Sequence, residues 1–161
     1  MEKASLSQRV RIAAERLLTY RPRSHQELLD RLNHRFPKEI VAEVVDQLQF
    51  VGLVDDPAFA MRWVASRAHR PSGRTKLVNE LLAKGITRET AEKAVIDLDE
   101  ENGALRAAIK AVRGVSYTDY TKFHRRLGQH LHRRGFQTDT IRRTLSKIWE
   151  DHFLDTPHNE M

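Results

Sequence analysis

Apolar residues recur along this chain at intervals of three and four. Leu6, Val10, Ala13, Ala14 and Leu17 form one stripe, Leu28 and Leu32 a second, and Val41, Val45 and Leu48 a third. That spacing gathers side chains on one side of a helix, whereas a half-buried strand needs strict alternation. No long alternating run of β-branched residues occurs. Nine helices are predicted, over residues 5–20, 24–34, 37–51, 56–69, 73–84, 87–100, 103–113, 117–134 and 138–151. The punctuation supports them. Ser24 with Glu27 has capping-box spacing. Pro37 and Pro57 suit first turns, where a missing N–H costs nothing. Gly52, Gly85, Gly114 and Gly135 follow apolar stripes, as left-handed C-terminal caps do.

The pattern repeats. Leu77, Leu81 and Ile86 recur as Leu127, Leu131 and Phe136, and Ala91, Val95 and Leu98 as Ile141, Leu145 and Ile148, all 50 residues apart. Val41, Val45 and Leu48 stand 50 residues before Ala91, Val95 and Leu98. Leu28 and Leu32 precede Leu77 and Leu81 by 49, and Arg35 stands where the later copies have Gly85 and Gly135. The expected architecture is therefore all-α, with three tandem three-helix repeats over residues 5–54, 55–100 and 101–151 and an acidic tail over 152–161. Such small units gain stability by stacking on neighbours, so an elongated, curved solenoid is expected.

Charge then singles out one copy. The chain has 161 residues and a net charge of +6. Residues 9–54 carry 8 basic and 6 acidic side chains, residues 55–100 carry 8 and 8, and residues 101–149 carry 11 and 3. A basic balance points to an anionic partner, most often nucleic acid or a nucleoprotein. On the wheel of helix 117–134, Tyr120, Phe123, Leu127 and Leu131 turn inward. Lys122, Arg125, Arg126 and Arg133 then turn outward, and on the last helix so do Arg143 and Lys147. Gly128 lies beside the inward stripe, where it would allow close helix contact. These six cations are the leading candidates for partner or DNA binding. Arg67, Arg70, Arg74 and Lys76 of the second copy stand in reserve.

Enzyme chemistry has no foothold in the sequence. The seven glycines form no phosphate-cradling loop, and there is no cysteine, so thiolate metal sites and cysteine nucleophiles are excluded. His130 and His132 point about 200° apart on a helix, which no metal site uses. Asp55 and Asp56 read more simply as a helix start than as paired catalytic acids, with Asp56 as the N-cap. Phe59 and Trp63 read as core, and His124 as a packing residue. The chain is expected to be non-enzymatic, free of cofactors, monomeric, and soluble in the cytoplasm, because no run approaches the ~20 apolar residues of a membrane helix.

Several spaced motifs together resemble the RecX family. They are Phe50-Val51-Gly52-Leu53-Val54-Asp55-Asp56-Pro57 with Phe59, Trp63 and Arg67, then Gly73-Arg74-Thr75-Lys76-Leu77, Glu80-Leu81 and Lys84-Gly85-Ile86. Arg21-Pro22-Arg23-Ser24 and Arg133-Arg134-Gly135-Phe136 extend the likeness over about residues 9–150. The resemblance implies tandem three-helix repeats and a negative regulator of the RecA recombinase. Such a protein binds the groove of the RecA filament on single-stranded DNA and suppresses strand exchange, ATP hydrolysis and coprotease activity. The residues alone leave a second reading open, a stand-alone DNA-binding helix-turn-helix module.

Overall fold

The computed structural model describes residues 1–115 and 118–155. Among the described residues there is no strand, and the helices are α1 (Glu2–Tyr20), α2 (His25–Leu32), α3 (Lys38–Phe50), α4 (Asp56–Ala65), α5 (Arg74–Ala83), α6 (Arg88–Ala94), α7 (Glu100–Val112), α8 (Tyr120–Arg133) and α9 (Thr138–Asp155). They fall into two compact units. Unit 1 holds Met1–Ala65 and Asn79–Ile96; unit 2 holds Ser66–Val78 and the described residues from Asp97 onward. The chain passes between them after Ala65, within α5 after Val78, and after Ile96.

In unit 1, α1, α2 and α3 pack on one another and α4 packs on α6. Val10, Ala14, Leu28, Leu32, Val41, Val44, Val45, Leu48 and Val54 form a continuous core. Each fully buried Val or Leu stabilises the fold by roughly 1.5–3 kcal/mol before conformational entropy is subtracted. In unit 2, α7, α8 and α9 pack mutually around Phe123, Leu127, Leu131, Phe136 and Leu145. The α7 side of that core is built from Ala104, Ala107 and Ala108, which lets bulkier neighbours approach its backbone.

One joint occurs in each unit, and it follows the repeat. In unit 1 the buried Ser24 hydroxyl donates to the Lys84 carbonyl at 2.5 Å and accepts from the Glu27 amide at 3.1 Å. Glu27 closes the capping box on the Ser24 amide and takes the Lys84 ammonium at 3.1 Å and the Arg21 guanidinium at 3.1 Å. In unit 2 the corresponding carbonyl, that of Arg134, accepts the Gly73 amide at 2.7 Å. The next residue in each case is a glycine in the left-handed region, Gly85 at φ +77° and Gly135 at φ +79°. A Cβ on Gly85 would strike the Gln26 side chain, and one on Gly135 would strike Lys76, its backbone nitrogen included. Glycine is needed there for both backbone conformation and close approach. The first triplet is one residue shorter at this turn: Arg35 follows Leu32 as Lys84 follows Leu81 and Arg134 follows Leu131, so Arg35 does not take the glycine's place and does not adopt a positive φ.

An acid at the start of the following helix completes each joint. Asp56 of α4 accepts the His25 amide at 2.9 Å, and Glu100 of α7 accepts the amides of Arg74 and Gln137 at 3.1 and 3.3 Å. In both cases the carboxylate satisfies the first free N–H of a second-position helix.

Several sequence expectations are corrected. The N-cap of α4 is Asp55, whose side chain accepts the Ala58 amide at 2.9 Å, while Asp56 is spent on α2. Helix α4 ends at Ala65 rather than 69, and α6 at Ala94 rather than 100. No glycine or proline marks the second break. It arises because Arg74 takes the Leu98 carbonyl and Asp99 caps α7 through the Asn102 amide, so α7 starts before 103. Leu98 is consequently only half-buried. Gly114 is not left-handed. Tyr120 is 46% exposed, edge-on to Trp149, rather than inward. A Cβ on Gly128 would sit 3.5 Å from Leu145, an ordinary contact, so close packing does not demand glycine there. The predicted helix start at 117 and residues 156–161 of the acidic tail lie outside the described residues, but α9 continues through Asp155.

Candidate partner-binding surfaces

Helix α8 begins at the Asp119 cap, whose side chain accepts the Lys122 amide, and buries Phe123, Leu127 and Leu131. That stripe forces Lys122, Arg125, Arg126 and Arg133 into solvent; Arg143 and Lys147 are likewise exposed on α9. Arg143 pairs with Glu101 at 2.7 Å, and Lys122 lies 3.9 Å from Asp119. Arg125, Arg126, Arg133 and Lys147 form no ion pair among the described residues. Arg133 also sits in the last turn of α8, where the helix dipole favours a cation.

The four reserve cations have different fates. Arg70 is exposed, and Arg67 is half-buried with its guanidinium 3.4 Å from the Ser66 hydroxyl. Arg74 spans the Leu98 carbonyl at 2.9 Å and the buried Glu100 carboxylate at 3.9 Å. Lys76 lies against the Gly135 backbone. Arg74 therefore belongs to the unit 2 joint, and Lys76 lies beside it.

Sequence reasoning passed over Arg134, Arg106 and Glu100. Arg134 donates through Nε to the Pro71 carbonyl at 2.7 Å, with Nη2 on the same oxygen, and Arg106 donates to the Ala68 carbonyl at 2.8 Å. Burial first, then the nearby Arg70, hold the Arg134 guanidinium below its ordinary range. Burial, then Arg134 and Arg133, push the His130 imidazole down. Phe59 is buried with Trp63 stacked 6.0 Å away, and the Trp63 indole donates to Glu80 at 2.8 Å. His124 is half-buried beside Tyr120, with ring centroids 5.5 Å apart. No group of three or more His, Cys, Asp or Glu could hold a metal among the described residues, and none of the described helices is long and apolar enough to cross a membrane.

This helical arrangement has counterparts. The family model described as the first three-helix domain of RecX matches residues 11–48, and that for the second three-helix domain matches residues 55–95. A regulatory protein RecX of Streptomyces lividans is 36% identical over 148 residues, covering 89% of this chain and 79% of the relative. One from Chlorobium phaeobacteroides is 35% identical over 138 residues, covering 84% and 91%. The chain belongs to the RecX family. The crystal structure of RecX from Lactobacillus salivarius shares its fold, with a TM-score of 0.83 over 91% of this chain and 98% of that one at 23% identity. RecX proteins are regulators, and tandem three-helix domains are their family's architecture, as the 50-residue repeat implied.

Proposed function

We propose that this protein restrains the RecA recombinase by binding the groove of the RecA filament on single-stranded DNA, suppressing strand exchange, ATP hydrolysis and coprotease activity. Membership of the RecX regulatory family is the observation that carries the reading. The exposed cations Lys122, Arg125, Arg126, Arg133, Arg143 and Lys147, with Arg67 and Arg70, are the residues offered to the filament or its DNA. Four of the α8 and α9 cations lack an acid partner among the described residues, so their charge is available to phosphates or carboxylates at little desolvation cost. The protein acts by occupancy and carries no catalytic step.

RecA-catalysed ATP hydrolysis on single-stranded DNA, titrated with the protein, tests this. Inhibition is expected below one protein per RecA, since one groove-bound molecule can halt growth at a filament end. Unchanged ATPase and strand exchange at equal concentrations reject the assignment. Reversing Arg125, Arg126 and Arg133 together to Glu should leave the fold intact, at roughly 0.5 kcal/mol or less per site. Filament binding should weaken and its salt dependence flatten as phosphate contacts are lost. If that variant binds like the parent, the α8 face is merely solvated.

A further inference from the structure

The first and third triplets each present a groove between their first and second helices. In unit 1, Ile12, Ala13, Arg16 and Leu17 of α1 face Arg31 of α2 and the following Arg35. In unit 2, Arg106, Ala107, Lys110 and Ala111 of α7 face His130 of α8 and the following Arg134. The registers correspond. Val10 and Ala14, fully buried, stand 94 residues before Ala104 and Ala108, also fully buried, and Leu28 and Leu32 stand 99 before Leu127 and Leu131. On those offsets Arg16 matches Lys110, Arg31 matches His130 and Arg35 matches Arg134.

The difference lies in the wall. The unit 2 groove is bounded on one side by polypeptide, the connection His69-Arg70-Pro71. Arg134 grips it through the Pro71 carbonyl and Arg106 through the Ala68 carbonyl. In unit 1 every lining residue comes from α1 or from α2 and the turn after it. Its floor is Ala13, Leu17, buried Leu32 and half-buried Phe36, with Tyr20 81% exposed at one end. Its rim is Arg9, Arg16, Arg31, His34 and Arg35, all exposed, and no acid lines it. None of the four arginines forms an ion pair among the described residues, although Arg11 on the same helix pairs with Glu15.

We propose that this open groove docks an extended, acidic polypeptide segment of a partner protein. Arg35 donates to a main-chain carbonyl of the segment, as Arg134 does to Pro71. Arg9, Arg16 and Arg31 take its carboxylates, where guanidinium forks pair bidentately. An apolar or proline side chain covers Phe36 and Leu32. The internal precedent favours polypeptide over nucleic acid, because the matching groove already receives a main-chain carbonyl. The groove shares no residue with the cations offered to the filament, so it constitutes a second contact and stands without the RecA reading.

The probe is a short fluorescein-labelled peptide with a Leu-Pro centre flanked by Glu and Asp, its Gln and Asn counterpart, and an oligothymidylate of equal charge. The parent should bind the acidic peptide at least about tenfold more tightly than the neutral one. The double variant R31E/R35E should lose that preference by about tenfold or more while keeping the parent's circular dichroism and melting temperature. R35K, which keeps the charge and loses the fork, should recover only part of the affinity. Reversing Lys110 to Glu in the matching unit 2 groove should leave peptide binding unchanged. No preference in the parent, or full binding by R31E/R35E, overturns the proposal. So does oligothymidylate binding that exceeds acidic-peptide binding and is lost in the same variant, which would give the groove to nucleic acid. RecA ATPase with the parent is read separately: its inhibition without a peptide preference removes this groove alone, and a peptide preference without inhibition removes the RecA reading alone.

Discussion

The two joints of this protein solve one geometric problem with different chemistry. In unit 1 the contact beneath the Lys84–Gly85 turn is carried by side chains: the Ser24 hydroxyl, the Glu27 carboxylate and the cations of Arg21 and Lys84. In unit 2 it is carried by backbone, the Gly73 amide on the Arg134 carbonyl, and a Cβ on Gly73 would run into the Gly135 carbonyl. A side-chain network can adjust to a substitution by changing rotamers. A backbone contact at this separation cannot, because the peptide unit is rigid and its neighbours are close-packed. Equivalent positions in a repeat therefore need not tolerate the same change.

The largest losses should come from the paired glycines. Gly135→Ala forces a left-handed alanine, at about 1–2 kcal/mol, and drives its methyl into the Lys76 backbone, adding roughly 1–3 kcal/mol of overpacking. Gly85→Ala carries the same conformational cost and drives its methyl onto the Cβ of Gln26, which no rotamer change moves, so a comparable loss is expected. Urea denaturation of both variants measures the losses. A near-silent alanine at either glycine would show that the turn there opens to admit a methyl.

Next come the capping acids. Glu100→Ala strips a 7%-exposed carboxylate that serves two amides and leaves both without a partner, for about 2–3 kcal/mol. Asp56→Ala frees only the His25 amide, for about 1 kcal/mol. Thermal melts of the pair should rank in that order, and the reverse ranking would refute the correspondence drawn between the two acids.

The smallest effect is one of pH. Burial is the strongest single influence on the Glu27 carboxyl and pushes it up, but the bonds from Arg21, Lys84 and the Ser24 amide together outweigh it. Its folded value therefore lies below the ordinary 4.5. A depressed carboxyl stabilises the fold fully above 4.5 and loses that contribution as pH falls through the folded value. The stability difference between the parent and Glu27→Gln should be constant near neutral pH and shrink below 4.5. A difference that does not change on acidification would mean that Glu27 acts through packing alone.

Much of this was legible in the chain. Capping residues and apolar spacing located the helices, because a cap such as Ser24–Glu27 is a local contact within one turn. The 50-residue offset found the repeat, because each copy must bury the same stripe: Leu28, Leu77 and Leu127 are each at most 1% exposed. The outward side of α8 followed from the inward positions of Phe123, Leu127 and Leu131. The α4 and α6 ends did not, because those breaks are set by distant partners: Arg106 reaches the Ala68 carbonyl just after α4, and Arg74 reaches Leu98 just after α6.

The division between sequence and tertiary structure follows the range of the forces involved. Helix identity, repeat length and the surplus of cations after residue 100 depend on neighbours within a turn or on composition, and the chain states them by itself. Which cations are spent and which are free depends on what lies across the packing interface. Arg74 and Arg134 have the same charge as Arg31 and Arg35, yet the first two are bound to carbonyls of distant loops, whereas Arg31 and Arg35 line the unit 1 groove, with Arg35 over the neighbouring Phe36 ring at 5.8 Å. Only the stacking of one triplet on the next distinguishes them, since a guanidinium is committed by the carbonyl or carboxylate the fold brings within hydrogen-bond reach.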